Sequence, residues 1–474
     1  MNIDVNGQNQ LQHSLKPRHM SMIALGGVIG AGLFVGSSVV VKNAGPAALI
    51  SFLITGVLII LVMRMLGEMA SSLPVVGSFY EYARSAFREQ PGKAEFAGFM
   101  TGWMYWYFWV IVVAIEAIAG AKLIQFWLPN LPSWEISLTL MAVLTITNLF
   151  SVKSYGEFEF WFSSIKVAAI VVFLFLSCLF LLGMWPDHTA TGLGEMLRHG
   201  GFMPNGWGPV LSGAVAATGF YFGAEIVTIA AAETADPAKS VAKATNSVIS
   251  RVLFFYVGSV FFVVCLVPWN SEAISTPYVS ALQVMQIPYA PHIMNAVILV
   301  AVLSCLNSGL YAASRMIFAL TRNGDAPKAL ATVSENGVPI RAIIFSTLFG
   351  YAAIVVSYYS PDGIFPFLVE SYGTVALVVY ILIAISHIRL RKRMEKNCPE
   401  RIRVRMWCFP YLSYLAIAGM LSILGAMAFL PEQKKAFWFG LVSLSLCAMA
   451  FFLSRYWRTD KSLKPDVTRS VLEQ

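Results

Sequence analysis

Three ionisable side chains lie deep in apolar sequence: Glu116 in YWYFWVIVVAIEA (105–117), Lys166 in WFSSIKVAAIVV (161–172) and Glu225 in GFYFGAEIVTIAAAE (219–233). A lysine or aspartate at the centre of a membrane helix costs at least about 2.5 kcal/mol on insertion scales. Each of the three therefore either pairs across helices or does chemistry: it holds and releases a proton, or it moves a gate. Near them runs GGVIGAGLFVG (26–36), five glycines in eleven uncharged positions. Glycine is about 1 kcal/mol worse than alanine in a helix. One reading is close helix packing through the pairs Gly26/Gly30 and Gly32/Gly36. The others are a pore constriction, or an unwound stretch whose backbone binds a ligand.

A second interruption occurs in SGAVAATGFYFGAEIVTIAAAE (212–233), at Gly219, Gly223 and Ala224. Five spans separate the starts of the two interrupted segments, and a repeated unit with an odd number of spans must enter the membrane the opposite way round. Interrupted segments at matching places in two such halves point to a midplane binding site. Unwinding frees N–H and C=O groups that lipid cannot satisfy. The helix restarting near Ala31 would present N–H groups and a positive dipole end to a carboxylate. Carbonyls near Val28 would suit an ammonium, so one break would serve both ends of a zwitterion.

The chain that positions these groups has 474 residues, 57% hydrophobic and 12% charged, with a mean hydropathy of +0.69. Soluble domains carry roughly a quarter charged residues. Long apolar runs such as VAAIVVFLFLSCLFLLGMW (167–185) match the about 20 residues a membrane helix needs, and they lack the alternation of a β-barrel strand. The expectation is an all-α polytopic membrane protein with twelve spans: 20–41, 46–66, 97–121, 134–150, 160–184, 209–232, 250–269, 292–321, 341–359, 364–387, 407–430 and 437–456. The opening 1–19 reads as a polar tail, not a signal peptide.

Of the 33 Lys and Arg, five (Lys42, Lys122, Arg198, Lys434, Lys435) fall outside if the N-terminus is cytoplasmic, and Lys166 lies within a span. The rest lie on the cytoplasmic side, most densely in RLRKRMEKNCPERIRVR (389–405). This is the positive-inside bias. It places both termini in the cytoplasm and accounts for the net +8 without a nucleic-acid partner. Six cysteines form no CxxC, and neither a disulfide framework nor a metal site is indicated. No P-loop occurs, so uphill movement would draw on an ion gradient or a partner. GAGLFVG falls short of a dinucleotide fingerprint, because Val35 stands where the third glycine belongs. The aromatic run WMYWYFW (103–109) reads mainly as packing or an interface belt. Asn307 and Ser308 interrupt the eighth span, either to bond Lys166 or the first helix, or in ordinary interhelical hydrogen bonding.

Several motifs in order carry a resemblance: GGVIGAGLF, EMASSLPVVGSFYEYA (68–83), SVKSYGEFEFWFSSIKV (151–167), GGFMPNGWG (200–208) and AAAETADPAKSVAKATNSVI (230–249). Together they resemble the amino acid permeases of the amino acid–polyamine–organocation superfamily, from about residue 15 to the twelfth span. YWYFWVIVVAIEA, GAEIVTIAAAE (223–233) and SCLNSGLYAASRM (304–316) are similar to the 4-aminobutyrate permeases within it, whereas GGVIGAGLFVG and IQFW (124–127) also resemble the aromatic amino acid permeases.

The resemblance implies two inverted five-helix repeats (20–184 and 209–387), a basic loop (388–406), two further helices (407–456) and a C-terminal tail (457–474), with the first and sixth helices broken. It implies substrate contacts at Val28, Ile29, Gly30, Ala31 and Gly32, with Gly219, Phe220, Tyr221 and Phe222 completing and gating the pocket. It assigns coupling or gating to Lys166, Glu116 and Glu225, with Lys166 beside the unwound first helix. The expected partners are an amino acid, a proton as coupling ion, and the lipids of a bacterial inner membrane. No cofactor, metal or obligate protein partner is expected. A channel, a nutrient sensor and a permease for aromatic or other neutral amino acids are the competing readings.

Overall fold

The computed structural model describes residues 15–73, 75, 77–186, 193–234, 237–334, 337–360 and 364–457. The chain folds into helices α1 (Pro17–Val28), α2 (Ser37–Ala44), α3 (Ala48–Ser72), α4 (Phe79–Ala86), α5 (Pro91–Gln125), α6 (Ser133–Phe150), α7 (Val152–Leu181), α8 (Gly194–Arg198), α9 (Trp207–Tyr221), α10 (Ile226–Ala230), α11 (Pro237–Leu266), α12 (Pro277–Val284), α13 (Ala290–Arg322), α14 (Ile340–Tyr359), α15 (Ile364–Asn397), α16 (Tyr411–Phe429) and α17 (Lys434–Trp457). No β-strand occurs among the described residues; Leu15 and Thr234 form an isolated parallel bridge. Ten helical stretches among these residues are long and apolar enough to cross a membrane. One of them, Arg18–Ser72, holds 55 residues, and Leu253–Leu266 is a further, shorter apolar helix. The chain is an integral membrane protein.

The interruptions are where the glycines put them. α1 stops at Val28, Ile29 turns extended (φ −85°, ψ 90°), and the backbone resumes as a π-helical turn over Gly32–Gly36 before α2. α9 stops at Tyr221, Phe222 is extended, and α10 begins after Glu225. Gly223 sits at φ +121°, and a Cβ there would strike the Gly27 carbonyl. Only glycine meets both conditions.

Helix ends differ from expectation in several places, with α5 starting at Pro91 against an expected 97 and α7 at Val152 against an expected 160. α1 begins at Pro17, so the last residues of the expected 1–19 tail are helical, and the Leu15 N–H donates to the Glu233 carbonyl (3.1 Å). α11 begins at Pro237, well before the seventh span expected at 250. α15 runs to Asn397 and takes in the first half of the basic loop, because RLRKRMEK is built from good helix formers and Arg391 bonds Glu395 one turn on (2.9 Å). Residues 1–14 of the expected N-terminal tail and 458–474 of the C-terminal tail lie outside the described residues.

α5 and α13 pack along each other at the centre, α3 lies against α9 and α11, and α1 lies against α7, α11 and α13. α16 and α17 pack on α15 at the periphery and turn Leu421, Phe429, Trp438 and Phe452 outward. On an α-helical membrane protein that apolar exposure is the lipid-facing surface.

Candidate functional site

The two breaks face each other. A Cβ on Gly27 would lie 2.8 Å from the Gly223 carbonyl, and one on Gly32 would lie 2.7 Å from the Phe220 ring, which also covers Gly36. Gly27, Gly32 and Gly36 therefore pack one break against the other, whereas Gly26 and Gly30 face side chains of α7, α5 and α13. The Tyr256 hydroxyl of α11 lies 2.9 Å from the Val28 carbonyl and 2.7 Å from the Phe220 carbonyl. It has one proton to share between them, and so ties the end of α1 to the end of α9.

Lys166, fully buried on α7, holds the first break. Its Nζ donates to the carbonyls of Gly26 (2.6 Å) and Ile29 (2.7 Å) and to Ser304 Oγ of α13 (2.8 Å). An ammonium has three protons, and here all three are used. The carbonyls at the end of α1 thus already hold an ammonium, that of Lys166, and Val28 is taken by Tyr256. Ser304, one turn before Asn307, is the α13 partner of Lys166. Asn307 instead joins Asn148 of α6 (2.8 Å) and Glu159 (3.4 Å), and Ser308 approaches Tyr155 (3.4 Å), which is the interhelical alternative.

Glu116 comes to the same break from α5. Its Oε1 lies where a Gly30 side chain would be, with a Cβ on Gly30 only 2.9 Å from it and 3.1 Å from Cys305 Sγ. The Ala31 backbone is within its hydrogen-bonding reach, and its buried Oε2 has no hydrogen-bond partner.

Glu225 closes the second break. It accepts from the Gly223 N–H (2.9 Å), Tyr105 of α5 (3.1 Å) and Tyr380 of α15 (2.9 Å). Its bonds thus run to its own break, α5 and α15, not to α1. Phe222 is buried beneath it, with ring centroids 4.0 Å from Phe108 and 4.6 Å from Tyr380. Gly219 leaves room for the Tyr372 ring, 2.9 Å from where a Cβ would stand. Tyr221 turns to α3, donating to the Phe52 carbonyl (3.1 Å), and packs on Tyr256 (4.4 Å). Of the 103–109 aromatics, Tyr105, Phe108 and Trp109 reach this cluster, whereas Trp103 and Trp106 bond elsewhere, to the Asp325 carbonyl and Ser346. An apolar crevice of about 690 Å³ between α3 and α11, lined by Leu53, Phe254 and Trp407 among others, opens on the lipid-facing side, away from the breaks.

Tyr256, Ser304 and Glu159 were not legible as site residues. Glu159 carried a signal: it stands seven residues before Lys166, two turns along one helix face. Tyr256 carried none, because nothing in LFFYVGSVFF marks the tyrosine that will meet two helix ends.

The amino acid permease family profile matches residues 19–464. The chain belongs to this family. The permease is 49% identical over 428 residues to the gamma-aminobutyric acid permease of Bacillus subtilis (strain 168), with 90% of each chain covered. It is 43% identical over 451 residues to the gamma-aminobutyric acid permease of Escherichia coli (strain K12), covering 94% of this chain and 95% of that one. An aromatic amino acid transport protein, AroP, of Corynebacterium glutamicum is 37% identical, with 87% of this chain and 89% of that protein covered. Among solved structures, the permease has the fold of Mhp1, a nucleobase-cation-symport-1 family transporter in a closed conformation, with a TM-score of 0.51 at 14% identity over 97% of this chain and 98% of that one.

Proposed function

We propose that this permease takes up 4-aminobutyrate across a bacterial cytoplasmic membrane together with a proton, by alternating access. The observation that carries the coupling is the Lys166 ammonium, with two protons on carbonyls of the first break and the third on Ser304 of α13. A charge-assisted hydrogen bond is roughly twice as strong as a neutral one, so loss of a proton loosens that end of the site. The substrate rests on relatives 43–49% identical over about nine-tenths of the chain and named for gamma-aminobutyric acid.

In this reading the substrate carboxylate meets the N–H groups of the restarting helix from Gly32 on, since Glu116 already reaches the Ala31 backbone. The ammonium goes to Glu116, whose Oε2 has no other partner, because the carbonyls near Val28 are already bonded. Phe222 and Glu225 form the gate over the second break. Twelve spans in two inverted five-helix repeats, with both termini cytoplasmic, are the architecture this mechanism uses. The two helical passes within Arg18–Ser72 and the apolar Leu253–Leu266 support that count. Transport alone is proposed, with no catalytic step and no cofactor.

The test is uptake of labelled 4-aminobutyrate into proteoliposomes with an acid exterior, competed by a panel of amino acids. Saturable uptake is expected, inhibited by compounds that carry both an amino and a carboxyl end. Strong uptake of phenylalanine or tyrosine with none of 4-aminobutyrate would move the permease to the aromatic branch.

A further inference from the structure

Glu159 is a buried acid that the transport scheme above leaves without a task. It lies on α7, fully buried, two turns before Lys166. Its Oε1 accepts from Ser163 (2.9 Å) and from the hydroxyl of Ser304, and its Oε2 faces the Asn307 amide (3.4 Å). A side chain on Gly26 would run into its carboxylate, so α1 leaves this space for it. Ser304 is the shared atom: its Oγ donates its one proton to Glu159 and accepts one from Lys166 Nζ. A hydroxyl has one proton and two lone pairs, and this arrangement uses both functions.

We propose that Glu159, acting through Ser304, is the resident counter-charge and proton partner of Lys166. The proposal rests on the reading of Lys166 as the coupling residue. The exchange is balanced. An Nζ–H bond of Lys166 breaks as its proton passes to Ser304 Oγ, and the original Ser304 proton passes to Glu159 Oε1, forming an O–H bond there. Lys166 becomes a neutral amine and Glu159 a neutral acid, so the net charge of the buried site does not change. After the relay the Ser304 hydroxyl donates to Nζ, and the neutral amine keeps one N–H group each for the Gly26 and Ile29 carbonyls but without charge assistance, which about halves the strength of that hold. The first break is then free to move without a lone charge being stranded in a low-dielectric interior, which would be costly.

Other groups face the pair. Glu116 approaches from α5, Cys305 and Asn307 from α13, Tyr256 from α11 and Asn148 from α6. Tyr155, with the Arg315–Glu233 pair behind it, flanks Glu159 on the other side. None of the described hydrogen bonds puts another carboxylate on the hydroxyl that touches Lys166 Nζ.

The experiment measures 4-aminobutyrate uptake against external pH in proteoliposomes for the parent, Glu159→Gln, Glu159→Asp, Ser304→Ala and Lys166→Gln. Glutamine keeps the size and, through its one oxygen, the Ser163 contact, but it removes the charge and turns an N–H group toward the Asn307 amide. An opposite charge at this range favours an ammonium by about 1–3 pH units. The midpoint of the Glu159→Gln profile is expected to move toward acid by about one pH unit or more. Ser304→Ala should move it the same way by less, and Glu159→Asp should return it toward the parent. A purely structural role would lower uptake at every pH and leave the midpoint where it was, and that result in Glu159→Gln and Ser304→Ala overturns the proposal. If Glu159→Gln fails to insert, an unmoved Ser304→Ala midpoint overturns it alone. Lys166→Gln separates the two readings. A parental profile in that variant removes Lys166 from coupling and Glu159 with it, whereas lost coupling there with unmoved midpoints in the others removes Glu159 only.

Discussion

Lys166 and Tyr256 each bind backbone that a continuous helix would have kept for itself. Lys166→Gln keeps an amide that can donate to one or two of the three acceptors but cannot change charge. It should lose uphill, pH-driven accumulation while retaining substrate binding, measured as counterflow at equal pH on both sides. Accumulation at the parental level would pass the coupling role to Glu116 or Glu225. Tyr256→Phe deletes one oxygen and leaves the Val28 and Phe220 carbonyls without their donor. An unsatisfied buried polar group costs about 1–3 kcal/mol, so uptake should fall by about tenfold or more at unchanged insertion. Parental uptake would mean that the two breaks do not depend on this hydroxyl. Lys166 could be singled out in the sequence because a charge in an apolar run stands out by type alone. Tyr256 could not, because a tyrosine among phenylalanines is ordinary membrane sequence and its importance comes from the two helix ends it reaches.

At the scale of elements, α10 is only five residues long and needs outside support. A helix that short cannot sustain itself. Its start is held by Glu225. Just past its end, Glu233 pairs with Arg315 of α13 (2.9 Å), both buried, and the Arg315 guanidinium lies 4.1 Å over the Tyr311 ring. Tyr311 in turn stacks on Tyr155 of α7, with centroids 4.0 Å apart. Removing one partner of a buried ion pair costs about 3–5 kcal/mol, whereas replacing both by apolar residues is often neutral. Arg315→Met should therefore lower the thermal unfolding midpoint in detergent markedly, and the double variant Arg315→Met/Glu233→Leu should recover most of the loss. A double variant no more stable than Arg315→Met would show that the pair is needed for the charge itself. The breaks in α1 and α9 were legible because glycine weakens a helix wherever it sits. The lengths of α11 and α15 were less so: hydropathy reports the apolar part of a helix, and both helices continue into polar sequence.

For the whole molecule, the question is what drives it. The energy of a proton gradient is set by thermodynamics, not by the site: one pH unit is worth about 1.4 kcal/mol per proton. With one proton per 4-aminobutyrate and no membrane potential, a gradient of one unit should support about tenfold accumulation. Proteoliposomes with the potential clamped should reach that level without sodium and lose it on addition of a protonophore. Accumulation that follows a sodium gradient and ignores pH would replace the coupling ion while leaving the fold and family as they are.

The sequence by itself determined the membrane-helical class, the family, the two interrupted helices and the three costly charges, because hydropathy, glycine content and isolated ionisable residues are properties of local sequence. It also determined that Lys166 needed a partner. The tertiary structure decided which partner: the carbonyls of Gly26 and Ile29 on α1 and the hydroxyl of Ser304 on α13, with Glu159 behind it. It decided that Tyr221 turns to α3, that Glu225 closes its own break, and that the glycines at 27 and 223 pass within contact of each other. Apart from the bond between Glu225 and Gly223, these are contacts between residues more than a hundred positions apart. Their geometry depends on how the helices cross, and no period or spacing along the chain encodes that crossing.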